Sequence, residues 1–146
     1  MLPFLTVAEL HGLLATGTPV RLADVRWSLD GSEGYDTYLA GHLPGAVYVD
    51  LATDLAGPGG PDDGRHPLPS PEAFAAALGR LGIGPGDLVV GYDQGPGTVA
   101  ARLVWLCRVI GQPATLLSGG LAAWDGALET GPVTPPPVSR PVVDTP

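Results

Sequence analysis

The run Leu88-Val89-Val90-Gly91-Tyr92, followed by Asp93-Gln94-Gly95-Pro96-Gly97-Thr98 and an apolar stretch over residues 99–110, admits few folds. A short apolar run bounded by turn residues reads as a buried strand. Residues 94–97 neither continue that strand nor open a helix, so they read as a loop. Thr98 is then the predicted N-cap of a helix over 99–110. Strand, glycine-bearing loop and helix form the unit where α/β proteins place their chemistry. The loop N–H groups and the helix dipole favour an anion there. Asp93, Gln94, Gly95, Gly97 and Thr98 are therefore singled out as an anion-type loop. The residue at the strand's end is Asp93, an acid rather than a usual nucleophile.

The flanking segments repeat the alternation of strand and helix. Thr6-Val7-Ala8-Glu9 has the form of a capping box and predicts a helix to about Ala15. Residues 20–25 read as a strand running into Arg26, and 28–34 as a polar loop. Residues 35–40 predict one or two helical turns, and 46–49 a short strand ending at Asp50. Residues 57–69 form a loop dense in Gly, Pro and Asp; one of this length is more often functional than neutral. Ser70-Pro71 caps a helix whose apolar face is Phe74, Ala77, Leu78 and Leu81. Residues 114–117 read as a further strand and 121–127 as a short helix. Pro132, Pro135, Pro136, Pro137, Pro141 and Pro146 make the last stretch an extended segment of polyproline-like stiffness. The pattern predicts an α/β domain with a mostly parallel sheet over residues 1–130, then a proline-rich linker or tail over 131–146.

Composition excludes several functions. A net charge of −8, with no lysine among 7 basic residues against 15 acids, argues against nucleic acid and anionic membrane surfaces as partners. A single cysteine leaves no disulfide framework and no cysteine zinc site, and it fits a reducing, cytoplasmic setting. No apolar run is long enough to span a membrane, and no basic region precedes an apolar one at the N-terminus.

Several separate stretches, in order over residues 5–128, resemble the rhodanese family of sulfurtransferases. Leu22-Ala23-Asp24-Val25-Arg26 resembles its first buried strand with an Asp–x–Arg signature. Gly41-His42-Leu43-Pro44-Gly45-Ala46 resembles its Gly-His-Ile-Pro-Gly-Ala motif. Ser118-Gly119-Gly120 through Trp124 resembles its closing Asp-Gly-Gly-x-x-x-Trp motif, with serine for the aspartate. The resemblance implies a three-layer α/β fold with helices on both faces of the sheet. It extends to the first half of tandem thiosulfate and 3-mercaptopyruvate sulfurtransferases. There the second half carries the catalytic cysteine and the first usually an acid, as Tyr92-Asp93 does here. Arg65-His66-Pro67-Leu68-Pro69 is similar to that half's His-x-Leu-Pro element.

The implied chemistry is a cysteine persulfide, formed by a thiolate on a sulfane sulfur, with no metal or organic cofactor. A carboxylate is a hard oxygen anion and holds no persulfide, so with Asp93 at the cysteine's place the chain has no catalytic residue of its own. Cys107 lies mid-helix among Trp105, Leu106 and Val109, where burial makes a thiol inert. An aspartyl-phosphate reading of Asp93 lacks a second acid, since Gly95 stands two residues on, and there is no Cys-x5-Arg phosphatase loop. By motif match Asp50 and His66 stand where the first half presents residues to its partner's cysteine loop; a histidine suits proton transfer as sulfur leaves carbon. Read from the residues alone, Asp50 equally caps a turn and His66 equally sits exposed. His42 reads as a structural histidine and Asp24 with Arg26 as a buried pair. Trp105 and Trp124 read as core or domain contacts. The expected partners are a second rhodanese domain of the same parent chain and a small sulfur-containing substrate, with self-association of an isolated half. The alternative expectation is a stand-alone binding or regulatory module.

Overall fold

The computed structural model describes residues 4–57 and 67–143. Five strands form one parallel sheet: β1 (Phe4–Leu5), β2 (Val20–Asp24), β3 (Val47–Tyr48), β4 (Leu88–Tyr92) and β5 (Ala114–Leu117), in the order β1-β5-β4-β2-β3. The helices are α1 (Val7–Ala15), α2 (Tyr35–Ala40), α3 (Leu51–Asp54), α4 (Pro71–Arg80), α5 (Ala100–Val109) and α6 (Gly120–Ala123). No helix is long and apolar enough to cross a membrane among the described residues.

The strand period of two assigns the core to two faces. Ala23 and Val89 join Phe74, Leu78, Leu103 and Leu106 of α4 and α5 on one face. Leu22 and Val90 join Leu10 of α1 and Leu43 on the other. Both faces of β4 are thus covered, which is why residues 88–92 read as a continuous apolar run. Burying each large side chain contributes about 1.5–3 kcal/mol before conformational entropy is set against it.

Side-chain caps legible in the sequence place the starts of α1 and α4. In α1, the Glu9 amide donates to Thr6 Oγ1 at 3.1 Å and the Thr6 amide to Glu9 Oε1 at 3.0 Å. In α4, Ser70 Oγ accepts from the Ala73 amide at 3.1 Å, with Pro71 leading. Thr98 departs from its expected role: α5 opens at Ala100 with Val99 at the cap position and no side-chain cap bond. α6 ends at Ala123 rather than 127, because Trp124 is already extended. β1 and α3 were invisible in the sequence, being two and four residues long. The central part of the 57–69 loop, with His66, lies outside the described residues.

Residues 131–143 run across the domain as a strap. The Gly131 amide donates to Leu39 O and the Val138 amide to Gly79 O, both at 2.9 Å, and Arg140 Nη1 donates to Ile83 O at 2.7 Å. Gly79 admits this approach because it has no side chain: a Cβ there would lie 2.5 Å from Val138 O. Gly79→Ala is therefore expected to push the strap off α4 and destabilise the fold by about 1–3 kcal/mol. Urea unfolding checks the stability loss, and hydrogen exchange checks that the Val138 amide loses its protection.

Candidate functional site

The loop after β4 closes on itself around Asp93. Asp93 Oδ1 accepts from the amides of Gly95 (3.0 Å) and Gly97 (2.9 Å). Oδ2 accepts from Val99 and Ala100, both at 3.1 Å. Four N–H groups thus converge on one carboxylate that is 1 % exposed. Two of them are orphan donors at the start of α5, so Asp93 does from six residues upstream what an N-cap side chain does locally. This is why Thr98 is spared the role. Gln94 and Thr98 make none of these four bonds.

The cradle is backed by the turn after β5. The Leu121 amide donates to Asp93 O at 2.9 Å. Gly120 sits at φ +58°, and a Cβ on it would meet Asp93 O at 2.6 Å and Gly95 O at 3.1 Å. The paired glycines of the closing motif therefore shape the wall of the loop. Chemically the site is an anion cradle whose anion is the protein's own oxygen group, with no sulfur at its centre. Cys107 offers no substitute: it is fully buried inside α5, and burial pushes its thiol up to about 12.

Asp50 stands elsewhere, at the start of α3. Its Oδ1 accepts from the amides of Ala52 (2.9 Å) and Thr53 (3.3 Å), so the carboxylate caps that single turn. Asp50 also lines a cavity of about 890 Å³, together with Tyr35, Tyr48, Arg80 and the strap residues Pro132 and Pro135. Arg80 within it pairs with Asp54. His66 is outside the described residues, but its neighbour Pro67 is tied down. Pro67 O accepts from the Gly57 amide at 2.9 Å and from Arg102 Nη2 at 3.1 Å, while Arg102 Nε donates to Leu55 O at 2.7 Å. Arg102 therefore binds both ends of the His66-bearing segment to the first turn of α5, next to the cradle. The sequence reading missed this residue. Its signal was a cation in the first turn of a helix, where the dipole disfavours one unless a specific partner holds it.

Beneath the site runs a buried polar network. Arg26 Nε and Nη2 donate to the Asp24 carboxylate at 2.9–3.2 Å, and Arg26 also reaches Gly41 O. Burial drives the Asp24 carboxyl upward, opposed by its bonds from Arg26 and Tyr92. The Tyr92 hydroxyl accepts from the Leu43 amide at 3.0 Å, and burial with the Asp24 charge beside it raises its pKa far above the ordinary phenol value. Trp124 bonds Ala127 O through its indole N–H at 3.2 Å, whereas Trp105 is 51 % exposed.

The profile of the Rhodanese-like domain matches residues 6–127. A putative thiosulfate sulfurtransferase, SseB, from Mycobacterium tuberculosis is 43% identical over 135 residues, covering 90% of this chain and 48% of that protein. A probable 3-mercaptopyruvate sulfurtransferase from Pseudomonas aeruginosa is 44% identical over 108 residues, covering 71% of this chain and 38% of that one. Among solved structures, SseA from Escherichia coli, a 3-mercaptopyruvate sulfotransferase, superposes with a TM-score of 0.84 at 31% identity, covering all of this chain and 57% of that one. The chain spans about half, or less, of the length of these curated relatives. By its motifs, its five-stranded parallel sheet and these matches together, the chain belongs to the rhodanese family, with homology to thiosulfate and 3-mercaptopyruvate sulfurtransferases.

Proposed function

We propose that this chain is the non-catalytic, N-terminal rhodanese unit of a two-domain thiosulfate or 3-mercaptopyruvate sulfurtransferase. The persulfide forms on a cysteine of the second domain and passes its sulfane sulfur to cyanide or a thiol. One observation carries the reading: the Asp93 carboxylate takes four N–H groups, of Gly95, Gly97, Val99 and Ala100, from the loop and helix start that a rhodanese builds around its sulfur. An oxygen anion fixed there has no sulfur to attack with. Coverage of only 48% of SseB supports a partner domain, and so do the half-exposed Trp105 and Leu68. The second domain is the proposed cover for that surface, and self-association is expected of the isolated half.

In this reading Asp50 and His66 face the partner's cysteine loop. When 3-mercaptopyruvate gives up its sulfur, the C–S bond breaks, sulfur joins the partner's thiolate, and the carbon skeleton leaves as an enolate that takes a proton. His66 is the group suited to deliver it, with Asp50 positioning the segment. Arg102, by pinning Pro67, holds that segment in place. A second reading, a stand-alone binding or regulatory module, rests on the same occupied cradle and on the partly open cavity beside Asp50.

The chain alone should form no thiocyanate from thiosulfate and cyanide above the uncatalysed rate. Turnover that survives Cys107→Ser overturns the reading. In the complete two-domain protein, His66→Asn should lower kcat for 3-mercaptopyruvate at least tenfold; an unchanged kcat overturns the proton-transfer role of His66. Asp93→Asn replaces an acceptor by an NH₂ that faces two N–H donors, and should cost on the order of 3 kcal/mol in urea unfolding. Asp93→Cys, in a Cys107→Ser background, should place a thiol in the cradle whose alkylation midpoint falls below the free-cysteine value of about 8.5.

A further inference from the structure

The cavity beside Asp50, about 890 Å³, has the size of a small-molecule site. One wall is aromatic. Tyr35 and Tyr48 line it with ring centroids 5.2 Å apart and planes tilted by 56°, so the two rings meet as a corner rather than a stack. Tyr38 backs both, its centroid 5.9 Å from that of Tyr35 and 5.3 Å from that of Tyr48. It is 1 % exposed and stacks on His42, which holds the corner in place from behind. Tyr35, in contrast, is 48 % exposed and keeps ring surface open to a ligand. A second wall is the strap, through Pro132, Pro135 and Pro137.

The charge in this cavity is unbalanced. Asp54 is engaged at both oxygens: Oδ1 pairs with Arg80, and Oδ2 accepts from the Asp50 amide at 2.9 Å. Arg80 is the one basic residue in the lining among the described residues, and Asp54 neutralises it. The Asp50 charge is left over. Its Oδ1 takes the two cap amides of α3, so Oδ2 lies outside the cap. Burial, and after it the Asp50 charge, push the Tyr48 hydroxyl up to about 12, so it stays a neutral phenol. An anion finds little to hold it here, because prolines have no N–H to give and the guanidinium is already paired. A bare ammonium ion, strongly hydrated, gains little from aromatic and proline rings. Those rings favour a cation whose charge is wrapped in apolar groups, and a carboxylate beside them supplies the counter-charge.

We propose that this cavity binds a small substituted ammonium ion, held between the Tyr35–Tyr48 corner and the Asp50 carboxylate, against the prolines of the strap. The alkyl groups on the nitrogen lie against the two tyrosines, and Asp50 Oδ2 balances the charge. The strap prolines keep water from the remaining side. No N–H of the ligand is required, which is why a quaternary nitrogen suits this lining. The site belongs to the described chain alone, so it stands or falls independently of the sulfurtransferase reading.

The test titrates the 146-residue chain with choline at constant ionic strength, by calorimetry and by the amide shifts of nitrogen-15-labelled protein. The control is 3,3-dimethylbutan-1-ol, which puts carbon in place of the choline nitrogen and so removes only the charge. Choline should saturate below about 20 mM, shift the Thr53 and Val133 amides, and bind at least tenfold more tightly than the alcohol. Tyr35→Ala, at an exposed position, should weaken choline at least fivefold, and Tyr35→Phe should keep it because the ring face remains. Asp50→Asn retains an acceptor for the α3 cap and removes the charge; it too should weaken choline at least fivefold while circular dichroism stays unchanged. Any of three results overturns the proposal: no saturation by about 20 mM, an alcohol that binds within threefold of choline, or full choline affinity in folded Tyr35→Ala or folded Asp50→Asn.

Discussion

Four amides pointing at one carboxylate organise this domain. A strand that ends in a glycine loop and restarts as a helix leaves several N–H groups without backbone partners. Buried, such groups are costly unless an acceptor is supplied. Asp93 supplies it from the end of β4, and by doing so it fixes the loop, the first turn of α5 and, through its own carbonyl, the turn into α6. The same geometry in a sulfurtransferase with cysteine at this place would stabilise a thiolate and its persulfide. Stability of the loop and chemistry at the loop therefore compete for one position, and here the position holds a fixed charge.

The sheet explains why that position is so enclosed. β4 sits at the centre of the order, covered by α4 and α5 on one face and by the α1 side on the other. Residues alternate between faces along it, so Tyr92 falls on the same side as Val90 and reaches Leu43, and the chain then bends into the cradle. The buried Asp24–Arg26 pair lies beside Tyr92 and extends the polar network to Gly41. Beyond it, the strap and the Asp50 cavity form a second region of the surface, joined to the first through the turn that bears His42.

Much of this was legible in the residues. Thr6 with Glu9 and Ser70 with Pro71 announced α1 and α4, because capping is a contact over three residues that spacing alone reveals. The apolar run 88–92 announced a central strand, since only a strand buried on both faces is apolar throughout. Other features were not legible. Thr98 has the right chemistry for a cap, but Asp93 reaches the same amides first across a loop whose shape no local rule states. Asp50 reads as a turn cap from the residues, and α3 fills that reading, but the cavity it lines depends on strap residues more than eighty positions away. Arg102 reads as an ordinary helix arginine, yet its two bonds tie down Leu55 and Pro67, some 47 and 35 residues away in sequence.

The proline-rich end makes the division clear. Its composition determined that it would be extended and stiff, because each proline fixes its own φ and removes a donor. Composition is silent on where a stiff segment lies, and its docking depends on Gly79 having no side chain and on a histidine some 89 residues away facing Gly131 O. The sequence by itself determined the alternation of strands and helices, the acid at the head of the loop and the single thiol buried in a helix, since these follow from period, spacing and residue type. The tertiary structure alone decided that Asp93 captures all four amides, that Asp50 opens onto a cavity, and that His42 meets two carbonyls at once. Each of these is a meeting of groups distant in the chain, and only packing sets such distances.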